Sequence, residues 1–160
     1  MVAPSDNPRL GLWPQFPYLA PLVAWMGLMA LFSGHLGSEE TMRRGLSWLI
    51  GLLSPAAAGQ KVGEALPFAA IWTMRKLVHL CEYGVLALLA RRWIRSLNPA
   101  SPALPWLGAL GWCAVYALAD EVHQSFVPGR TMAPWDVGID LVGAGLALAL
   151  TAGPRDARDL

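Results

Sequence analysis

The chain has 160 residues, 55% of them hydrophobic and 14% charged, with a mean hydropathy of +0.42. An ordinary soluble domain carries about 25% charged residues, so a solvated surface of the usual kind is excluded, and so is disorder, which needs few apolar residues and high net charge. Twelve Lys and Arg against eleven Asp and Glu leave net +1, which excludes a basic nucleic-acid binder, and the length holds one domain. The composition fits a small all-α integral membrane protein.

Residues 10–34 contain no charged side chain. With their flanks they are long enough to cross about 30 Å of hydrocarbon, which gives a first span at about 17–34. Arg9 is the lone basic residue before this run. No small-residue cleavage site follows it, so the run reads as a retained anchor. Residues 45–59 are apolar, contain Trp48 and reach Pro55, and are too short to span. They read as a short interfacial or re-entrant helix. The second span, about 71–93, carries Arg75, Lys76, His79 and Glu82 in its first half and closes on Arg91, Arg92 and Arg95. A Pro- and Ser-rich loop follows over 98–105. The third span, about 104–126, is apolar through Ala119 and then reads Asp120-Glu121-Val122-His123-Gln124. Pro128-Gly129 marks a turn. The fourth span, about 135–152, opens with Asp136 and Asp140, and its pairs Gly143/Ala147 and Gly145/Ala149 suit close helix packing. Together these predict four transmembrane helices in one domain over 1–160. Cys81 and Cys113 lie in apolar runs without ligand spacing and read as buried small hydrophobes, so no metal site is assigned. Trp13, Trp25, Trp48, Trp72, Trp106 and Trp135 fit aromatic belts near span ends.

The arginines at 91–95 and in the tail set both termini in the cytoplasm by the positive-inside rule; Arg43 and Arg44 dissent, offset by Glu39 and Glu40. At about 1.5 Å rise per residue, His79 lies roughly 18 Å from Arg91 and Asp120 roughly 24 Å from the start of its span. Asp140 lies roughly 22 Å from Arg155. All three fall in the outer half of the bilayer, beneath the 127–134 loop.

Helical spacing sorts the polar residues onto faces. Lys76, His79 and Tyr83 form one stripe. Asp120 and Gln124 form another, with Glu121 on the adjacent face. Asp136, Asp140 and Gly143 form a third. Arg75 and Glu82 fall on other faces of their helix. A charge facing lipid costs some kcal/mol, so the stripes are expected to face one another around a pocket roofed by the 127–134 loop. Lys76 suits a point-charge contact to phosphate or carboxylate, or a salt bridge to Asp120, Asp136 or Glu82. His79 suits a general base, a ligand-orienting donor or an interhelical hydrogen bond. Asp120 is the better acid–base candidate of the adjacent carboxylates, with Glu121 beside it. Gln124 suits a head-group hydrogen bond, and His123 a helix-end role beside Arg130. Arg130 suits an anion clamp or a loop-locking bond to Asp136 or Glu121. Asp136 also suits a helix N-terminus. Asp140 needs a partner, and Lys76 and His79 are the obvious ones.

The stretches Arg75-Lys76-x-x-His79-x-x-x-Tyr83-x-x-Leu86, Asp120-Glu121-x-His123-Gln124-x-Phe126-x-Pro128-Gly129-Arg130 and Asp136-x-x-x-Asp140-x-x-Gly143 resemble the three motifs of the VanZ-like membrane proteins. The family usually has Asn at the position of Asp140. The resemblance covers roughly 20–150 and implies an envelope role. The founding member is associated with resistance to teicoplanin, a lipoglycopeptide acting at the outer membrane face. No settled reaction or cofactor comes with the resemblance.

The expected protein is thus a multi-pass protein of the bacterial inner membrane. Its polar pocket acts on or binds the head group of an envelope lipid or lipid-linked precursor. His79, Asp120 and Glu121 are the candidate catalytic residues. Lys76, Tyr83, His123, Gln124, Arg130, Asp136 and Asp140 are the candidate binding residues. The alternative is a non-catalytic accessory protein that binds an amphiphile or a membrane partner.

Overall fold

A computed structural model describes residues 12–34, 37–54, 56, 62–127 and 133–152. Among the described residues there are five α-helices and no strand: α1 (Leu12–Ser33), α2 (Glu39–Leu53), α3 (Phe68–Ser96), α4 (Leu104–Ser125) and α5 (Pro134–Leu150). A short 3-10 turn, Val62–Ala65, lies between α2 and α3. Each of the four long apolar stretches is helical. The 45–59 stretch belongs to α2 only as far as Leu53, and that helix begins earlier than its apolar content suggests. Ser38 starts it, its side chain accepting from the Thr41 N–H at 3.3 Å, with Glu39 and Glu40 in the favoured first turn.

α3 is the central helix and packs on α5, α4 and α1. The register of contacts makes α3 and α5 parallel: residue 76 meets 136, 79 meets 140, and 84 meets 147. α1 runs against α3, with the Trp25 indole donating to the Glu82 carbonyl at 3.0 Å and the Ser96 hydroxyl donating to the Gln15 side chain at 2.8 Å. α1 runs alongside α4, where the Tyr116 hydroxyl donates to the Met26 carbonyl at 2.5 Å. The core holds Leu22, Tyr83, Leu86, Ala87, Ala109, Cys113, Ala117 and Ala144.

Two glycines permit close approach. A Cβ on Gly143 would sit 2.2 Å from the Leu80 carbonyl oxygen, so α3 and α5 touch backbone to backbone there. A Cβ on Gly63 would sit 2.1 Å from the Arg43 carbonyl oxygen. That glycine seats the 3-10 turn on α2, where Arg43 donates to the carbonyls of Gly63 and Leu66. Of the two small-residue pairs on α5, Gly143/Ala147 meets α3, whereas Gly145 has open space beside it.

Among the described residues only α1 is both long and apolar enough to cross a membrane, over Gln15–Ser33, and just 17% of that window is buried inside the protein. α3 fails the same test because of its charges and α5 because it has 17 residues. Cys113 is buried as expected, but Cys81 is exposed, because it lies on the outward face of α3. The tryptophans divide as well. Trp48, Trp72 and Trp135 are exposed, while Trp106 is buried under the Arg91 guanidinium, 3.8 Å from its ring centre. Trp25 is half-buried between α1 and α3, and the Trp13 side chain lies outside the described residues.

Candidate functional site

The polar residues of α3, α4 and α5 gather at one end of the bundle. Lys76 and Asp136 form an ion pair, and Asp136 stands in the first turn of α5. One turn deeper, His79 Nδ1 lies 3.5 Å from Asp140 Oδ1, with both atoms buried. Asp140 is 2% exposed, so a lone carboxylate there would be costly and the imidazole is its counterpart. These two rungs join α3 to α5 just above the Gly143 contact. The helix contact at Gly143 fixes how far apart the rungs can be.

α4 supplies the second half. Gln124 donates to Asp120 Oδ2 at 2.8 Å and to the Ser33 hydroxyl at 3.0 Å, tying α4 to the end of α1. Asp120, Glu121 and Gln124 are all buried. Glu121 faces α5 instead of the Asp120 network, and its Oε2 accepts the Ala133 N–H at 2.7 Å. Ala133 is the N-cap of α5, whose own side chain provides no cap. Glu121 therefore supplies, from another helix, the acceptor for the N-cap N–H that a capping-box Glu or Gln would supply locally. Tyr83 is fully buried, and its hydroxyl has no hydrogen-bond partner. His123 is exposed on the last turn of α4. Arg130 and most of the 127–134 loop lie outside the described residues.

The α3 and α5 stripes face one another, the Asp120–Gln124 stripe of α4 turns to Ser33 of α1, and among the described residues no open pocket lies between them. Lys76 closes on Asp136, His79 on Asp140 and Gln124 on Asp120, because a charge in a packed interior costs less with a partner than alone. The open space lies on the other side of α3. A groove of about 410 Å³ is lined by Phe32, Gly37, Thr41, Met42, Arg75, Val78, His79 and Glu82. Arg75, His79 and Glu82 follow the i, i+4, i+7 spacing of one helical face. Placing Arg75 and Glu82 on other faces of α3 is correct relative to Lys76 and Tyr83, but it misses that His79 belongs to both stripes. His79 thus touches Asp140 on the inside and the groove on the outside. A second trough of about 400 Å³, lined by Trp25, Leu77, Val78, Cys81, Glu82 and Val85, adjoins the first at Val78 and Glu82.

At the opposite end of the bundle Arg91 is buried over Trp106, and Arg92 lies over the Tyr18 ring at 5.2 Å. A smaller cavity of about 180 Å³ there is lined by Arg91, Arg95, Asn98, Ser101 and Trp106, among others. Among the described residues no group of three or more His, Cys, Asp or Glu side chains is arranged to hold a metal ion.

Comparison with known proteins gives one family. The family model described as VanZ/LLP1 matches residues 18–152, a stretch that includes all five helices except the start of α1. No curated protein and no solved structure matches the chain.

Proposed function

The chain belongs to the VanZ/LLP1 family, and from that premise we propose that it is a multi-pass membrane protein that binds the head group of an envelope lipid or lipid-linked precursor in the groove beside His79. The observation that carries this reading is the double environment of His79. Its Nδ1 is buried against Asp140, while its ring lines the groove, so Nε2 is the nitrogen left to meet a ligand. The Asp140 carboxylate lies behind the imidazole in a 3.5 Å contact without a hydrogen bond, and its charge supports donor behaviour at the far nitrogen. Asp120 holds Gln124, which ties α4 to α1, and Glu121 holds the start of α5, so both act as positioning residues behind His79. Lys76, Asp136, Tyr83 and Gln124 hold the helices in register, and His123 and Arg130 belong to the rim.

The spanning helices in this reading are α1, α3, α4 and α5, forming a single domain. Their outward faces support it: Leu77 and Val85 on α3, Val115 and Leu118 on α4, and Val142 and Leu146 on α5 are exposed and apolar. Several charges of α3 turn inward, with Lys76 and His79 on α5 and Arg91 buried. Average hydropathy undercounts such a helix, because lipid sees only the outer face. α2 lies on the membrane surface, with Trp48, Leu49, Leu52 and Leu53 exposed and Glu40 and Arg44 paired on its polar side. The arginine end faces the cytoplasm and the His79 end faces outward, in a bacterial inner membrane. A lipoglycopeptide such as teicoplanin is itself an amphiphile at that outer face, so the same groove is where a resistance phenotype would arise.

A test is native mass spectrometry of the chain purified in detergent and offered an envelope lipid extract. The expected result is a retained lipid, with His79→Ala weakening retention roughly tenfold, the value of one hydrogen bond to a charged group. Undiminished retention in that variant, with tryptophan fluorescence showing an intact fold, would overturn the reading. The non-catalytic accessory reading draws on the closed pairs Lys76–Asp136 and Asp120–Gln124. It predicts retention without any chemical change in the lipid.

A further inference from the structure

The groove beside His79 and the apolar trough below it adjoin, sharing Val78 and Glu82. Their chemistry changes along α3. The upper part carries Arg75, His79 and Thr41, and the lower part is walled by Trp25, Leu77, Cys81 and Val85. Each volume, about 410 and about 400 Å³, falls in the range of small-molecule sites. A groove that is apolar over most of its lining and polar at Arg75, His79, Glu82 and Thr41, set beside an apolar trough, suits an amphiphile with its head at the Arg75 end.

Arg75 decides the head. It is half-buried, and among the described residues no hydrogen bond or ion pair reaches its side chain. Its neighbour Lys76, also a cation, is already matched by Asp136 on the other face of the helix. An unmatched guanidinium at a membrane helix is costly, and its fork of donors suits a phosphate better than any other common lipid group.

We propose that groove and trough form one phospholipid site, in which Arg75 holds the phosphate and the trough walled by Trp25, Leu77, Cys81 and Val85 holds an acyl chain. The proposal rests on the amphiphile reading of the groove and narrows it to a phosphate-bearing lipid.

The chain contains a reporter for this site. It has two cysteines, of which Cys81 is exposed in the trough and Cys113 is buried. The test is the rate at which a small maleimide labels Cys81 in the full chain in detergent. The additions compared are phosphatidylglycerol, diacylglycerol with the same chains, and inorganic phosphate. Phosphatidylglycerol should slow labelling roughly tenfold, the scale of a charged hydrogen-bond pair. Diacylglycerol and inorganic phosphate should leave the rate unchanged. Arg75→Gln should abolish the protection and Arg75→Lys should retain most of it, with unlabelled Cys113 reporting an intact fold in each. Equal protection by diacylglycerol, or full protection in Arg75→Gln, overturns the phosphate assignment while leaving the amphiphile groove standing. Protection by inorganic phosphate alone overturns the acyl-chain assignment. If no lipid protects Cys81, both the proposal and the amphiphile reading fall.

Discussion

Arg75 and Lys76 are consecutive cations that one helix sends in different directions. Residues one apart on a helix point about 100° from each other, so Lys76 meets α5 while Arg75 meets the groove. The fate of Lys76 sets a stability prediction. Lys76 and Asp136 are part-buried, so removing one partner costs less than the roughly 3–5 kcal/mol of a fully buried pair, whereas replacing both with apolar groups is often neutral. Lys76→Met should therefore lower the thermal midpoint in detergent, and adding Asp136→Leu should recover most of the loss. Additive losses in the double variant would show that the two side chains do not act as a pair. That Lys76, His79 and Tyr83 share a face was legible from spacing alone. That Lys76 selects Asp136 over Asp120 was not, because the choice depends on how α3 is rotated against α5, which no residue spacing encodes. The groove-facing stripe of Arg75, His79 and Glu82 had the same helical periodicity. A single face for His79 hides it, because His79 belongs to both stripes.

The α3–α5 contact sets where these side chains meet. Gly143 allows it, since any Cβ would overlap the Leu80 carbonyl. Gly145, two residues on, has nothing within reach of a Cβ. Gly143→Ala should therefore force the helices apart, loosen both the Lys76–Asp136 and His79–Asp140 rungs and lower the thermal midpoint. Gly145→Ala should be neutral or raise it slightly, since alanine is favoured over glycine in a helix by about 1 kcal/mol. Equal effects of the two would refute the close contact. The Gly143/Ala147 spacing announced a small-residue face in the sequence, but Gly145/Ala149 announced one equally well. Only the facing helix separates them. α2 was the least legible element. Its start rests on Ser38 and two glutamates, which lie outside the apolar run that drew attention to it. Its polar side is tied down by Arg43 to carbonyls of a 3-10 turn some twenty residues away.

At the scale of the whole molecule, polarity is sorted along the bundle axis. Carboxylates, His79 and Lys76 gather at one end, Arg91, Arg92 and Arg95 at the other, and exposed apolar side chains lie between. The family was legible because its motifs are dense polar runs in otherwise apolar helices, which rarely arise by chance. The open groove was not, because it needs α2 and the outer face of α3 together. The central claim is that the bundle crosses the membrane with its His79 end outside. Sided labelling tests it, using Phe126→Cys beyond the polar end and Ala100→Cys beyond the arginine end, both at exposed positions, in a Cys81→Ser background. With a membrane-impermeant maleimide on intact spheroplasts, the cysteine at 126 should react at once and the cysteine at 100 only after permeabilisation. Labelling of both from the same side, or of position 100 alone from outside, would contradict the account.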